Sequence, residues 1–398
     1  MTKYTPTPFE INLGPEGVVF EVGSLFEALS TLHDQRDARG LRYALVTVLV
    51  FIVLAKLAGE NHLRGIAQWV RRRAGLLAVA LALAHPQAPH ATTYSRVLGR
   101  AVVIEELERV SREFFARQPQ AGTSVVISLD GKTMRGTIPA GQSRGVHLLA
   151  AFLPEEGWVM LQVEVGSKEN EIPAAGRVLN YLDLRGKIIT GDALLAQRPL
   201  SLQIIQAGGD YVWVIKDNQA ETHQALEALF GVEHCSPGHS PAGQADFRSA
   251  QTVDKDHGRI EQRMITVSSA LNEYLDWPGV KQVFRVERRF TRVKDGQVMH
   301  QVGYGLTSLA ANEADPERLL ELIRKHWLIE NGLHYRRDGA LQEDRCTLRT
   351  GHAAQAMALI NNLVLGLLLR RGVRNVPDAR RDFAADPLQA LTLILGRP

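Results

Sequence analysis

The chain has 398 residues, 45% of them hydrophobic and 22% charged, with 46 Lys and Arg against 43 Asp and Glu for a formal net charge of +3. Such an ordinary balance excludes wholesale disorder, leaves room for one large domain or two to three smaller ones, and permits a nucleic-acid partner without demanding one. Two cysteines, Cys235 and Cys346, exclude a disulfide framework and a four-cysteine zinc site, and they fit a reducing cytoplasm.

Residues 1–14 read as an unstructured lead without the basic and apolar pattern of a signal peptide. A helix buried nearly all round is expected over Leu41 to Leu57. Its apolar run, Ala44 to Ala55, is too short to span a bilayer of about 30 Å, so no membrane is implied. A second helix, Leu63 to Leu77, carries an apolar stripe and the basic flank Arg71-Arg72-Arg73. Pro86 and Pro89 break the chain, Thr92 to Ser95 sit where a helix cap belongs, and Val102 to Phe115 repeats apolar residues at three- and four-residue steps. Residues 15–118 are therefore expected to form a helical domain, with positive charge concentrated at Arg71 to Arg73 and along Pro89 to Arg100.

From Thr123 the period changes. SVVISLD (124–130), VHLLAAFL (146–153) and WVMLQVEV (158–165) read as three strands of an antiparallel meander. A helix at Pro173 to Leu182, a strand at KIITGD (187–192), a helix at Gln197 to Ala207, a strand at Tyr211 to Lys216 and a helix at Ala220 to Phe230 follow. The expected fold class is α/β, a mixed sheet with flanking helices. Residues 233–300 open with a Gly-, Pro-, His- and Ser-rich loop, Cys235 to Asp246. Strands are expected there at Arg259 to Val267, Gln282 to Thr291 and Gln297 to Tyr304, as a β-rich insertion. The core, 123–232, resumes at 301–370 with a helix from Pro316 to Leu333, capped by Asp315, and a last helix from His352 to Leu369. Residues 371–398 are left as a C-terminal tail.

Asp130 ends an almost wholly apolar strand, and Asp192 ends another, after Gly191, which lets the backbone approach something closely. In a sheet of this order the two strands lie side by side. Two ionised carboxylates held that close repel unless a divalent cation bridges them. Glu330 lies on a helix that could cross the sheet and bring it to the two aspartates, with His326 and His334 one turn to either side. Three carboxylates suit magnesium or manganese rather than zinc. Two such ions about 3.5–4 Å apart support in-line phosphoryl displacement without a covalent intermediate. Taken singly, each acid has an ordinary reading as a turn former, cap or surface residue.

Taken together, ISLDGKTMRGT (127–137), IITGDALLAQ (188–197), YVWVIKDNQ (211–219) and HWLIENGLHYRRDGALQEDR (326–345) resemble the H-repeat-associated insertion-sequence transposases of the DDE class. The resemblance runs from about residue 15 to 370. It implies a ribonuclease-H-like core, catalytic and metal-binding acids at Asp130, Asp192 and Glu330, two Mg2+ (or Mn2+) ions, and cleavage and strand transfer on DNA. The long interval from Asp192 to Glu330 matches relatives that carry a β-rich insertion there. Its partners would be the element's terminal inverted repeats and target DNA. A homodimer or higher oligomer is expected, since two ends must be joined, in a cytoplasmic protein that meets the nucleoid when bound to DNA. A basic residue seven positions after the glutamate falls at Arg337, as a phosphate contact; the upstream aromatic of the wider signature has no match, its place holding Ile323. Lys132, Arg135, Lys216, Asn218, Gln219 and His326 are further candidates for DNA contact, and Glu343 is a spare for Glu330. A nuclease of the same fold without strand transfer, and a catalytically inactive DNA-binding descendant, remain open.

Overall fold

The computed structural model describes residues 21–37, 41–84, 86–118, 121–231, 246–256 and 258–396. The expected lead at 1–14, Cys235 and most of the loop Cys235 to Asp246 lie outside the described residues.

The chain opens with helices α1 (Leu25–Ser30) and α2 (Leu45–Leu57). The run LVTVLVFIVLAKL has no polar face, and every residue of α2 except Val46 is buried. The expected helix over Leu63 to Leu77 is interrupted at Arg73, whose φ of −114° and ψ of 14° leave the helical region, giving α3 (Leu63–Arg72) and α4 (Ala74–Ala80). Arg71 and Arg72 stay exposed, while the Arg73 guanidinium lies 4.6 Å from the Trp69 ring. In α5 (Ala91–Arg96) the His90 side chain caps, two residues before the expected stretch, by accepting from the Thr92 N–H. A π-helical turn, Val97–Ala101, leads to α6 (Ile104–Ala116).

The strands are β1 (Val126–Thr133), β2 (His147–Leu153), β3 (Trp158–Glu164), β4 (Ile188–Gly191), β5 (Asp210–Ile215), β6 (Arg248–Asp256), β7 (Arg259–Ser268), β8 (Gln282–Arg292) and β9 (Val298–Thr307). They form one nine-stranded sheet in the order β3-β2-β1-β4-β5-β9-β8-β7-β6. β1, β4 and β5 run parallel, while β2 and β3 form an antiparallel arm on β1. This is the mixed α/β, ribonuclease-H-like arrangement expected. Helices α7 (Glu171–Tyr181), α8 (Arg198–Gln206) and α9 (Ala220–Gly231) connect the strands.

The strands after residue 246 extend this sheet, because β9 pairs antiparallel with β5 from Val212↔Thr307 to Ile215↔Tyr304. β6 went unread in the sequence. RSAQTVDKD is polar and carries little apolar signal, and its strand character comes from pairing along its whole length with β7.

The expected helix over Pro316 to Leu333 divides into α10 (Pro316–His326), a π-helical turn at Ile329–His334, and α11 (Tyr335–Gly339). Asp315 caps α10, accepting from the Arg318 N–H at 2.8 Å. α12 (Ala353–Arg370) packs on β3 and α6. Among the described residues it is the one helix long and apolar enough to cross a membrane, and 83% of it is buried within the protein. The segment expected as a tail instead carries α13 (Val376–Ala385) and α14 (Pro387–Leu395), each started by a proline in its first turn. Leu391, Leu393, Ile394 and Leu395 are buried, and both helices pack on α2. A helix without a polar face needs cover on all sides, and these two supply part of it.

Candidate active site

The site begins with strand register. In the parallel pair β1–β4, Ser128 lies opposite Thr190 and Leu129 opposite Gly191. The next residues are Asp130 and Asp192, so both acids leave neighbouring strands at the same level, at the carboxyl end of the parallel pairing. Neighbouring strands lie roughly 4.8 Å apart. β1 does not end at Asp130: it continues to Thr133 against β2 alone, with Asp130 opposite Ala150. β4 stops at Gly191, and Asp192 turns the chain, accepting from the backbone N–H groups of Leu194 at 3.0 Å and Leu195 at 3.3 Å. Gly191 is small for a packing reason: a Cβ there would stand 2.7 Å from the Trp213 ring.

Glu330 arrives from the other side. α10 packs across β1 and β4, and the chain then enters the π-helical turn. π turns insert an extra residue into a helical turn and occur often at functional sites. Here the turn directs both Glu330 and His334 at Asp130. His334 Nδ1 lies 3.2 Å from Asp130 Oδ2 and 3.8 Å from Glu330 Oε2. One ligand atom from each of Asp130, Glu330 and His334 falls within 4.8 Å of the others, a set able to hold a metal ion. Asp192 stands outside that tight group.

Electrostatics follow from this crowding. Burial raises the Asp192 pKa, and the charges of Glu171 and then Asp130 raise it further, against two stabilising backbone N–H groups. His334 is buried, which by itself lowers an imidazole pKa; its contacts with Asp130 and Glu330 outweigh burial and leave it raised. The His334 hydrogen bond is the chief influence holding Glu330 below the usual carboxylate range. Carboxylates that repel one another at one spot, with a single imidazole between two of them, are a donor set suited to hard divalent cations.

Two residues at the site were missed in the sequence. Glu171 opens α7 and lies against Gly131, where a Cβ would overlap its carboxyl group. His147 Nε2 is 2.9 Å from Glu171 Oε1, and His147 Nδ1 is 2.7 Å from Thr133 Oγ1. Asn170-Glu171 reads as an ordinary helix cap and first-turn acid, so no local signal marks it.

Several expected DNA contacts are otherwise engaged. Arg337 is fully buried, its guanidinium 2.6 Å from Glu343 Oε1 and donating at 3.0 Å to Gln162 Oε1, so it does not face a phosphate. Glu343 is equally buried in that pair and is no substitute for Glu330. Lys132 is held by Asp338 at 2.7 Å and Asp344 at 3.3 Å. Asn218 donates to the Ala193 carbonyl and Gln219 to that of Ala196, tying β5's exit to the loop after Asp192. His326 Nδ1 lies 3.2 Å from Thr190 Oγ1, which donates to Ser128 Oγ, so this ring braces the sheet beneath the acids. Burial lowers its pKa, against the pull of Asp130 and Glu330. Arg135, 80% exposed, and Lys216 remain open to solvent. Trp327 and Leu328, just before Glu330, are 46% and 42% exposed, and the Arg288 guanidinium lies 5.4 Å from the Trp327 ring.

The chain is similar to known proteins over most of its length. YncI of Escherichia coli O157:H7, named as a candidate transposase, is 30% identical over 354 residues, covering 87% of each chain. YhhI of Escherichia coli K12, named as a candidate H repeat-associated transposase, is 27% identical over 92% of this chain and 98% of its own. Among solved structures, the piggyBac transposase synaptic complex with hairpin DNA aligns at a TM-score of 0.44 and 11% identity, covering 93% of this chain and 78% of that one. Residues 26–115 match the family described as "DDE_Tnp_1-associated". Residues 121–367, which hold the sheet and all the acids above, match the family described as "Transposase DDE domain", and the chain belongs to that transposase family.

Proposed function

We propose that this protein is a DNA transposase that cuts and rejoins phosphodiester bonds at the ends of its own insertion sequence, with Asp130, Asp192 and Glu330 holding two Mg2+ or Mn2+ ions. The observation that carries this reading is convergence: Glu330, on a π turn remote in sequence, reaches Asp130, and Asp192 leaves the neighbouring parallel strand at the same level as Asp130. When bound, such ions activate an attacking oxygen and stabilise the leaving one.

The protein's own groups prepare the site. Asp192 is pre-oriented by two backbone N–H donors. His334, its pKa raised, offsets part of the repulsion between Asp130 and Glu330. Exposed Arg135 and Lys216 stand where phosphates would approach, and exposed Trp327 offers a stacking surface beside Glu330. DNA ends and target DNA are the partners, the helices of 15–118 are candidates for end binding, and joining two ends calls for a dimer or larger assembly in the cytoplasm. The core spans 123–232 and 301–370, with β6 to β9 extending its sheet.

The test is an oligonucleotide assay with an intact end and with a pre-cut 3′-hydroxyl end. Wild-type protein is expected to cut the first and join the second in Mg2+, and Asp192→Asn to do neither while still binding DNA. Unchanged cutting by Asp192→Asn would sink the metal site. Cutting by the wild type without joining would reduce the protein to a nuclease.

A further inference from the structure

We propose that Glu171 is a fourth acidic ligand of the active site, holding a divalent cation together with Asp192. The inference rests on the two-cation reading above and adds to it a residue from a different element.

A glutamate in the first turn of a helix ordinarily stays in solvent, where it answers the partial positive charge of the helix end. Glu171 does not: its side chain is only 15% exposed. It folds onto the backbone of β1 at Gly131, next to Asp130, in space that exists because residue 131 has no side chain. Any larger residue there would push the carboxylate off the strand, so Gly131 and Glu171 are matched parts.

One oxygen of this carboxylate is fixed. Oε1 meets His147 Nε2 at 2.9 Å, and the ring is held in turn by Thr133 at 2.7 Å. Thr133 and His147 are cross-strand partners of β1 and β2, so the Glu171–His147–Thr133 chain is built on two hydrogen-bonded strands. Oε2 takes no hydrogen bond from any described residue. A carboxylate with one oxygen clamped by an imidazole and the other free is how an outer-shell histidine commonly orients a metal-binding group.

The surroundings explain what the free oxygen is for. Helix α7, which Glu171 opens, packs against the turn Ala193–Leu195 that Asp192 caps. Lys132, one residue from Gly131, spends its charge on Asp338 and Asp344. Asp130 thus has Glu330 and His334 against its own carboxylate and the Glu171 carboxyl against the next residue, Gly131, so that Glu171 adds an oxygen donor to the three acids of the site.

The experiment is a Mn2+ titration of the full chain without DNA, read by the paramagnetic resonance signal of free Mn2+. Glu171→Gln keeps the size of the side chain and its capacity to bond His147, and removes only the charge. It is expected to weaken the tighter or the weaker Mn2+ step by about 10- to 100-fold, with an unchanged circular dichroism spectrum and melting temperature in EDTA. Binding equal to wild type overturns the proposal. Asp192→Asn runs alongside: loss there with no loss in Glu171→Gln sinks only the role of Glu171, whereas no loss in either sinks the metal site as a whole. Should Glu171→Gln fail to fold, Glu171→Cys decides. A thiolate prefers soft ions, so a direct ligand predicts stronger Cd2+ and weaker Mn2+ binding, and an unchanged Cd2+ to Mn2+ preference overturns the proposal.

Discussion

Arg337→Ala separates a core arginine from a DNA-binding one. Arg337 has no exposed surface, and Glu343 is 1% exposed. The guanidinium Nε donates to both Glu343 oxygens at 2.8 and 2.9 Å, and Asn361 donates to Oε2 at 2.7 Å. Removing Arg337 strands a buried carboxylate with a single neutral donor. Breaking a buried pair this way costs about 3–5 kcal/mol, a large share of the roughly 5–15 kcal/mol that holds a typical protein folded. Urea unfolding followed by circular dichroism is therefore expected to show a much lower midpoint for Arg337→Ala. Replacing both partners, Arg337→Met with Glu343→Leu, should recover most of the loss, because no buried charge then remains. Burial raises the Glu343 pKa, but Arg337 and its hydrogen bonds outweigh burial and hold it below the ordinary 4.5. The pair's stabilisation is thus complete above pH 4.5 and is lost as the pH falls through the folded value, so the gap between wild type and variant should close in acid. An unchanged urea midpoint, together with a salt dependence of DNA binding reduced by about one unit of slope, would refute the core assignment and restore Arg337 as a phosphate contact.

Other outcomes follow from the same structure. Lys56 is 1% exposed in α2, and burial followed by the Arg380 charge lowers its pKa from 10.5 to about 8. The unfolded chain then binds the extra proton between those values, so stability should climb from pH 8 to 10.5, by roughly 3 kcal/mol at 1.36 kcal/mol per unit. Lys56→Met should raise the melting temperature at pH 7 and flatten that climb; a lower melting temperature would show that the Glu343 attraction outweighs burial. Asp315→Ala removes the cap of α10 and should cost about 1 kcal/mol in thermal unfolding; no change would mean that packing alone fixes the helix start. Trp327→Ala, at a 46% exposed position, should leave the melting temperature unchanged and weaken binding of single-stranded DNA by about 1–3 kcal/mol, the value of one stacked base. Equal affinity for the two proteins would remove the indole from the DNA interface.

By itself the sequence determined the features whose signal is local. Alternating and continuous apolar runs marked β1 to β5, and two acids placed after such runs were legible as a pair because strands of this order lie side by side. Apolarity all round announced α2 as a core helix. The tertiary structure decided what depends on neighbours from elsewhere in the chain. Polar β6 is a strand because β7 pairs with it, and Val376–Ala385 and Pro387–Leu395 are helical where α2 needs cover. Arg337 lies inside because Glu343 and Gln162 meet it there, a fact no spacing rule carries. The π turn aims Glu330 and His334 together, while Gly131 and Glu171 fit one another across 40 positions of chain. A residue's type and its period along an element determine which face it occupies. Whether that face meets solvent, a counter-ion or another acid is set by packing, which acts through space.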